Sequence, residues 1–395
     1  MLKQKKSSIV SHRAMLESIQ LVDKQDWDDV VASRNIYLSY DYLISLETAM
    51  KGEIDFYYSV SYTKEGGAAL VMVLQLVKLI NKRKKHSELF GRLPCHIYKK
   101  LTDFFTVNIL VCGNVFSDGE NGFLWSSALS TKEAMNEACH VVKEFKENEN
   151  AKLKASVSLF KEFWSTSKVN SDHLKTNGYR NFMIDVNMVL NIDKSWETID
   201  DYLASMKTKF RTRAKRVFKK SADIVVKTLT VAEIIENRGR ISELFENVIK
   251  KSDFSVGRLN TDVFELFKRN LNDRFLLRAF YLNDEMVGFS TSFLNGDVFE
   301  ANYVGLDYKY NNKLSIYQRI LYDYVELSLK TNSKELHLGR TAELMKSSIG
   351  ALPKNMTLYA KHRSSVRNFL LKPIIKSISP SEFELRKPFK SNYRN

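Results

Sequence analysis

The chain has 395 residues, three cysteines and a formal net charge of +15. That length exceeds what one compact core usually supports, so two domains are expected. The three cysteines lack CxxC spacing, which excludes a disulfide framework and a zinc knuckle and is consistent with a protein in a reducing compartment. The charge predicts an anionic partner, which is a nucleic acid, an acidic membrane surface or a phosphorylated cofactor.

The first 195 residues alternate between helical and extended patterns. Residues 1–50 have an amphipathic pattern that predicts an N-terminal helical extension packed on the first domain. Aromatic alternation predicts a strand over 54–60, and the apolar run 68–80 predicts a buried one. The apolar run is too short to cross a bilayer, which needs about 20 residues. We therefore expect the chain to be cytoplasmic, with peripheral attachment to the inner membrane face as a further hypothesis.

A second group of elements completes the predicted first domain, residues 51–195. An apolar stretch predicts a strand over 107–113, and helical spacing of apolar residues predicts a helix over 131–146. Residues 182–190 alternate cleanly and predict a single strand that closes the sheet. A domain boundary is expected near 193–197.

A long basic helix is predicted to open the second domain, residues 196–395. Thr198 and the two aspartates that follow Ile199 offer an N-cap and an acidic first turn. The cations on this helix are Lys207, Lys209, Arg211, Arg213, Lys215, Arg216, Lys219 and Lys220. Like charges four residues apart destabilise a helix, so either this is a solvated face or it binds an anion.

The remaining pattern predicts three antiparallel strands, a helix and one parallel strand. The predicted bounds are 275–281, 286–294 and 298–306 for the meander, 314–330 for the helix and 335–338 for the last strand. The same order of strand, helix and strand occurs in the first half. The fold class is therefore α/β (α+β), with two tandem domains that each hold a mixed, mostly antiparallel sheet flanked by helices.

Three stretches carry a resemblance to a known family. They are YLASMKTKFRTRAKR (202–216), VGLDYKYNNKLSIYQRILYDYVE (304–326) and HLGRTAELMKSSIGA (337–351). The chain resembles GNAT-superfamily acyltransferases of the tandem-GNAT, Fem-like type, including the acetyltransferase domain family of cellulose-biosynthesis operons. It departs from typical GNAT enzymes because residues 308–315 lack their glycine signature. The first domain is expected to be a degenerate GNAT-like domain.

The resemblance implies a donor site on the third strand, its loop and the next helix. It assigns acyl-CoA binding to the residues Val304, Gly305, Lys313, Leu314 and Ser315. A helix N-terminus suits the pyrophosphate because its spare N–H groups and dipole attract anions. Ser315 would also serve as an N-cap. The co-substrate would be acetyl-CoA or a longer acyl-CoA, and no metal is expected.

Acyl transfer to an amine needs a base, oxyanion donors and an acid for the leaving thiolate. The candidates are Glu300, His337, Arg340, Lys346 and Tyr317, with Tyr303 and Tyr359 as further possible acids. Each also has a structural interpretation. Glu300 would lie on a solvated face, Arg340 and Lys346 would form surface ion pairs with Glu335 or Glu343, and the tyrosines would pack.

Three functions follow from these patterns. The first is an N-acyltransferase that moves an acyl group from acyl-CoA to an amine, either an amino sugar, an amino acid or an amino lipid such as a sphingoid base. The alternative is a Fem-like, aminoacyl-tRNA-dependent peptidyltransferase of cell-wall biosynthesis, which would bind tRNA through the basic helix. The third is a non-enzymatic nucleic-acid-binding protein, which only the charge supports.

Overall fold

The computed structural model describes residues 9–78, 108–147, 155–251, 258–376, 378, 383–391 and 393. The predicted positions 79–80 and 107 lie outside these ranges. The chain forms two compact units. The first holds Met1–Ile184 and Met356–Ser379, and the second holds Asp185–Asn355 and Pro380–Asn395.

The first unit contains a mixed sheet with helices against it. In chain order its elements are β1 (Val10–Leu16), α1 (Lys24–Val31), α2 (Tyr40–Ala49), β2 (Asp55–Thr63), β3 (Ala68–Lys78), β4 (Asn108–Cys112), β5 (Phe123–Trp125), α3 (Thr131–Glu147), β6 (Val157–Trp164), α4 (Lys168–Ser171) and β7 (Arg180–Phe182). Strand β4 runs parallel to β6, and the other pairs in this unit are antiparallel. Helix α3 connects the parallel pair and buries its apolar stripe, including Met135 and Val142, in the core.

The second unit repeats this order with a longer meander. Its elements are β8 (Val186–Asn191), α5 (Ile199–Ser205), α6 (Thr208–Lys220), β9 (Val225–Thr228), α7 (Val231–Glu236), α8 (Arg238–Lys251), α9 (Val263–Leu271), β10 (Phe275–Leu282), β11 (Glu285–Asn295), β12 (Val298–Leu306), α10 (Tyr308–Leu314), α11 (Ile316–Lys330), β13 (Glu335–His337) and α12 (Glu343–Ser348). The meander β10–β11–β12 is antiparallel, and β12 runs parallel to β13, as the pattern predicts. The two tandem domains predicted from the pattern of elements are confirmed.

The last strand and helix return the chain to the first unit. Strand β14 (Leu352–His362) pairs through Leu352–Asn355 with β8 in the second unit, and its later residues pair with β6 and β7 in the first. Helix α13 (Ser365–Lys376) follows it. The predicted domain 196–395 therefore differs from the compact units, because ladder pairing of β14 with β6 binds residues 356–379 to the first unit.

Two other boundaries differ from the sequence prediction. Residues 1–50 are not purely helical: β1 pairs antiparallel with β2 from Val10↔Thr63 to Leu16↔Tyr58, so the segment extends the sheet. The predicted strand 182–190 is two strands, β7 and β8, with Met183–Asp185 between them. Both strands pair with β14, but the register shifts by one residue between Leu358↔Phe182 and Asn355↔Val186, and this shift interrupts the predicted strand.

The predicted helices are divided at two points. The helix expected from Thr198 breaks at Met206, which bridges to Phe389, and the N–H of Lys207 donates to the Pro388 carbonyl at 2.8 Å. These partners from the C-terminal segment replace intrahelical hydrogen bonds. Residues 308–314, expected as a loop, form α10, and Ser315 in a left-handed conformation (φ 55°) separates it from α11.

Gly305 in β12 lies where helix α8 approaches the sheet most closely. A Cβ atom there would lie 2.0 Å from Cε1 of Phe289 and 2.9 Å from Cβ of Leu244. We expect Gly305→Ala to lower the free energy of unfolding by about 1–3 kcal/mol, the usual range for overpacking a core. Urea unfolding followed by circular dichroism measures the change.

Gly239→Ala is the matched control for Gly305→Ala. Gly239 lies in α8, and a Cβ atom added there would meet no neighbouring heavy atom within 4 Å. Alanine is the better helix former at this position, so a gain of up to about 1 kcal/mol is expected. Equal stability changes in the two variants would contradict the close approach of α8 to β12.

Candidate active site

The parallel strands β12 and β13 separate partway along their length. Their pairing runs from Val298↔Glu335 to Glu300↔His337 and stops there. Strand β12 continues along β11 to Leu306, whereas the chain after His337 follows β8, where the N–H of Leu338 donates to the Met188 carbonyl at 2.8 Å. The two strands therefore no longer pair beyond Glu300, and the region between them is called the cleft below.

A β-bulge in β12 begins where the cleft opens. Ser290 pairs with Val304 and Ser292 with Ala301, so Asn302 and Tyr303 together oppose Thr291. The Tyr303 N–H donates to Oγ1 of Thr291 at 2.9 Å, which holds the extra residue in place. Bulges bend a strand and redirect its side chains and peptide groups.

The main chain of β12 past the bulge offers polar groups to the cleft. The carbonyl of Leu306 points away from β11, because it accepts from Nδ2 of Asn247 in α8 at 3.3 Å. Peptide groups alternate along a strand, so those of Val304 point the same way. Gly305 lies between them, and its missing side chain is explained by the packing of α8 and Phe289.

Glu300 and His337 lie side by side on one face of the sheet. Their neighbours Phe299 and Leu336 are buried in the core on the α11 side, so alternation places Glu300 and His337 on the opposite face. Glu300 is half-buried and accepts a hydrogen bond from Nδ2 of Asn295 at 2.8 Å. It is therefore not a freely solvated carboxylate.

His337 belongs to a small charged network. Its Nε2 lies 2.6 Å from Oε2 of Glu335, and the same oxygen is 3.1 Å from Nζ of Lys354. The hydrogen bond from His337, reinforced by Lys354, lowers the pKa of Glu335 to about 2. The sequence suggested Glu335 only as a partner for Arg340 or Lys346. The sequence spacing could have indicated His337 as the partner of Glu335, because residues 335 and 337 lie on the same face of a strand.

Tyr303 lies on the same side of the sheet as Glu300. Its ring packs between those of Phe245 and Phe264, with centroid distances of 5.7 and 6.0 Å. This environment favours the packing interpretation. Tyr359 belongs to the first unit, where its hydroxyl donates to Oδ1 of Asp172 at 2.7 Å.

A second group of predicted residues surrounds the start of α11. The turn after β13 holds Gly339, Thr341 and Ala342 at positive φ (72°, 61° and 52°), a strained arrangement for the last two. Buried Lys346 donates from Nζ to the carbonyls of Gly339 (3.2 Å) and Arg340. Lys346 thus holds the turn that carries the half-buried Arg340.

Tyr317 lies in the first turn of α11, close to this group. Burial, and then the charge of buried Glu343, raise the pKa of Tyr317. Asn311 caps the helix, because its Oδ1 accepts from the Tyr317 N–H at 2.9 Å. Ser315 occupies the N-cap position, but its side chain makes no capping hydrogen bond, which corrects that prediction. Lys313 is exposed and Leu314 packs at the edge of the core.

The basic helix α6 flanks α10 and α11. It contacts both helices, and the ring of Phe218 lies 5.0 Å from the guanidinium of Arg319 in α11. Its apolar face, Phe210, Ala214 and Val217, is buried. Within the described part of the chain, no carboxylate pairs with any cation from 207 to 220. The positive field at the start of α11 is therefore not neutralised locally.

The corresponding place in the first unit is partly occupied by a loop. The loop after β4 packs on β6, and the N–H of Gly119 donates to Oε2 of Glu162 at 3.2 Å. Buried Lys161 lies 3.0 Å from the same carboxylate and also donates to the Ser117 carbonyl. A Cβ on Gly113 would lie 2.9 Å from Cβ of Lys161. The loop thus narrows the space into which β4 and β6 would open, and a cavity of about 110 Å³ remains, lined by Cys112, Gly122 and Phe163 among others.

The Glu335 network predicts a pH-dependent contribution to stability. The folded pKa of about 2 lies below the unfolded value of about 4.3, so the contribution is complete above pH 4.3 and is lost as pH falls towards 2. We expect Glu335→Gln to cost about 2 kcal/mol at pH 6, typical for a charged hydrogen bond, and less at pH 3. Urea unfolding at both pH values measures this. A difference between variant and wild type that does not shrink at pH 3 would contradict the network.

Comparison with known proteins gives a fold. No family model and no curated protein matches this chain. The crystal structure of FemX superposes with a TM-score of 0.59 over 92% of this chain and 100% of that chain, at 12% identity. The C-terminal domain (DUF2156) of a putative lysylphosphatidylglycerol synthetase from Agrobacterium fabrum matches with a TM-score of 0.51 over 89% and 94%, at 8% identity.

Sequence identities this low show a shared fold but not a shared activity or substrate. A tandem GNAT protein from the clavulanic acid biosynthesis pathway also matches, with a TM-score of 0.48 over 89% of this chain and 99% of that one, at 7% identity. The fold itself supports many activities, so the chemistry has to be argued from the residues. The chain therefore has the fold of FemX, and its two units have the element order predicted for tandem GNAT-like domains.

Proposed function

We propose that the second unit is an N-acyltransferase that moves an acyl group from acyl-CoA to a primary amine. The observation that carries this is the separation of β12 from β13 directly beyond Glu300 and His337. It gives an extended thioester a cleft lined by the peptide groups of Val304, beside a carboxylate and an imidazole.

The donor end fits the residues present. The pantetheine arm would hydrogen-bond to the main chain of Val304, and the pyrophosphate would bind at the N-terminus of α11, near Lys313 and in the field of α6. The first-turn N–H groups of Ile316 and Gln318 have no carbonyl partner within the helix. The first unit, with its loop in the corresponding space, is proposed to be degenerate and to bind no donor.

Glu300 is proposed as the general base. It takes a proton from the substrate ammonium, and the freed amine attacks the thioester carbonyl to form a C–N bond. His337, held by Glu335, orients the amine from the neighbouring strand. The tetrahedral intermediate then expels the thiolate, which takes its proton from Tyr317. The resulting phenolate takes the remaining extra proton from the nitrogen, which leaves a neutral amide and a free thiol.

Arg340 is proposed to bind the acceptor or a donor phosphate. Its guanidinium lies on a strained turn that Lys346 fixes through two carbonyls. A forked cation on a rigid turn suits a carboxylate or a phosphate. An amino sugar, an amino acid and an amino lipid such as a sphingoid base all remain acceptor classes. The name of one structural neighbour, a lysylphosphatidylglycerol synthetase, favours testing the lipid.

Loss of the proposed base gives the direct test. We expect Glu300→Gln to lower kcat about a hundredfold or more, as for removal of a general base, with the Asn295 hydrogen bond still possible. Free thiol release from acetyl-CoA and a long-chain acyl-CoA, with an amine panel, measures it. Asp297→Asn, a neutralised exposed carboxylate just before β12, should act as wild type. Unchanged turnover by Glu300→Gln would refute this assignment.

A second donor, aminoacyl-tRNA, is favoured by the cations of α6. Fem-type enzymes, which the chain resembles, use that donor, and these cations have no carboxylate partner among the described residues. In this case Lys215→Gln/Arg216→Gln should weaken tRNA binding and reduce the slope of log affinity against log salt by about 0.7–0.9 for each phosphate that the variant no longer neutralises. Filter binding across a salt series measures the slope. Thiol release without tRNA binding would exclude this donor.

A further inference from the structure

Helix α13 in the first unit exposes an apolar stripe to solvent. Val366 is 72% exposed, Phe369 68% and Leu370 40%, and Pro373 is also exposed. The spacing i, i+3, i+4, i+7 puts all four on one side of the helix. Three large apolar side chains this exposed on one helix face mark a binding surface.

The opposite side of α13 is fixed to its unit. Leu371 and Ile375 are buried, and the carbonyl of Asn368 accepts from Nε of Arg180 at 2.8 Å. Nδ2 of Asn368 also donates to the Gly178 carbonyl at 3.0 Å. At about 100° per residue, this inner side lies diametrically across from the apolar stripe. The helix is therefore held with its apolar stripe outward.

Cations flank the stripe on both sides. Rotation of about 100° per residue places Arg367 and Lys372 on opposite borders of it, and exposed Arg363 precedes the helix. Among the described residues, no carboxylate pairs with any of these three. The surface therefore combines an apolar centre with a positive rim.

We propose that α13 docks on an anionic lipid surface. The side chains of Val366, Phe369 and Leu370 would enter the boundary between head groups and acyl chains, while Arg367 and Lys372 contact phosphates on either side. No helix in the described ranges is long and apolar enough to cross a bilayer. The helix would lie in the interface plane.

Lipid fits this surface better than a second copy of the chain. A two-fold contact sets the same patch against itself, so the cations of one copy would face those of the other. Like charges brought together in this way oppose association. An anionic bilayer has the complementary sign over the whole patch. The inference concerns where the protein binds and goes beyond the acyl transfer proposed above.

Vesicle co-sedimentation tests the proposal. Wild type should bind phosphatidylcholine vesicles containing about one-third phosphatidylglycerol and bind pure phosphatidylcholine weakly. Val366→Ser/Phe369→Ser/Leu370→Ser should lose at least about tenfold in partition coefficient, because three apolar side chains no longer leave water. Arg367→Gln/Lys372→Gln should lose about fivefold per charge.

Matched controls separate this helix from the rest of the surface. Leu21→Ser/Val225→Ser removes two exposed apolar side chains elsewhere, 65% and 67% exposed, and should bind vesicles as wild type does. In Phe369→Trp, the added fluorescence should be quenched by lipids brominated on the acyl chain. The triple serine variant should still release thiol with a soluble amine, so loss of docking and loss of chemistry are distinguishable.

Several outcomes would overturn the proposal. If the triple serine variant binds vesicles as well as the wild type does, the apolar stripe does not contribute to lipid binding. Binding lost in Lys215→Gln/Arg216→Gln but kept in the α13 variants would assign the lipid contact to α6. If the wild type forms a dimer and does not bind vesicles, and the triple serine substitution dissociates that dimer, then a second copy of the chain is the partner of this surface.

Discussion

The pairing of β13 with β8 is the constraint on which the candidate site depends. After His337 the chain hydrogen-bonds to Met188 of β8 rather than to β12, so β12 keeps only β11 as a neighbour beyond Glu300. A parallel pair joined by a helix would otherwise extend its ladder and close the cleft. The antiparallel β8, which enters the sheet beside β13, thus separates β13 from β12 where we propose that the thioester lies. The bulge at Asn302 and Tyr303 then turns the unpaired edge of β12 towards this space.

The residues proposed for the chemistry lie on two groups of elements. Glu300 and His337 lie on the strands, where ladder pairing holds them in register. Tyr317 and Arg340 lie at the start of α11 and on the turn before α12, where Lys346 and Asn311 replace missing backbone hydrogen bonds. Buried polar contacts of this kind are costly to leave unmade, so they fix geometry where loops would otherwise vary. Acyl transfer needs the groups on both sides of the cleft to be held in fixed positions relative to the substrate.

The two units use one topology differently. In the first, the loop after β4 lies against Lys161 and Glu162, and its glycines permit the close approach. In the second, α10 and α11 follow β12 in place of that loop. The first unit instead presents α13, whose outward apolar stripe has a positive rim. Under the two proposals, the second unit would carry the chemistry and the first the attachment, since each core supports its own surface.

Hydrophobic periodicity in the sequence determined the meander β10–β11–β12, the helix α3 and the parallel pair, because apolar side chains must face a core at the period of their element. The motif after β13 also indicated Arg340 and Lys346 as residues of interest. Only the tertiary structure decided the breaks at Met206 and Ser315, the return of residues 356–379 to the first unit and the partners of Lys346 and Glu335. These depend on contacts between residues far apart in the chain, such as Met206 with Phe389 and Leu338 with Met188, and local pattern carries no information about such contacts.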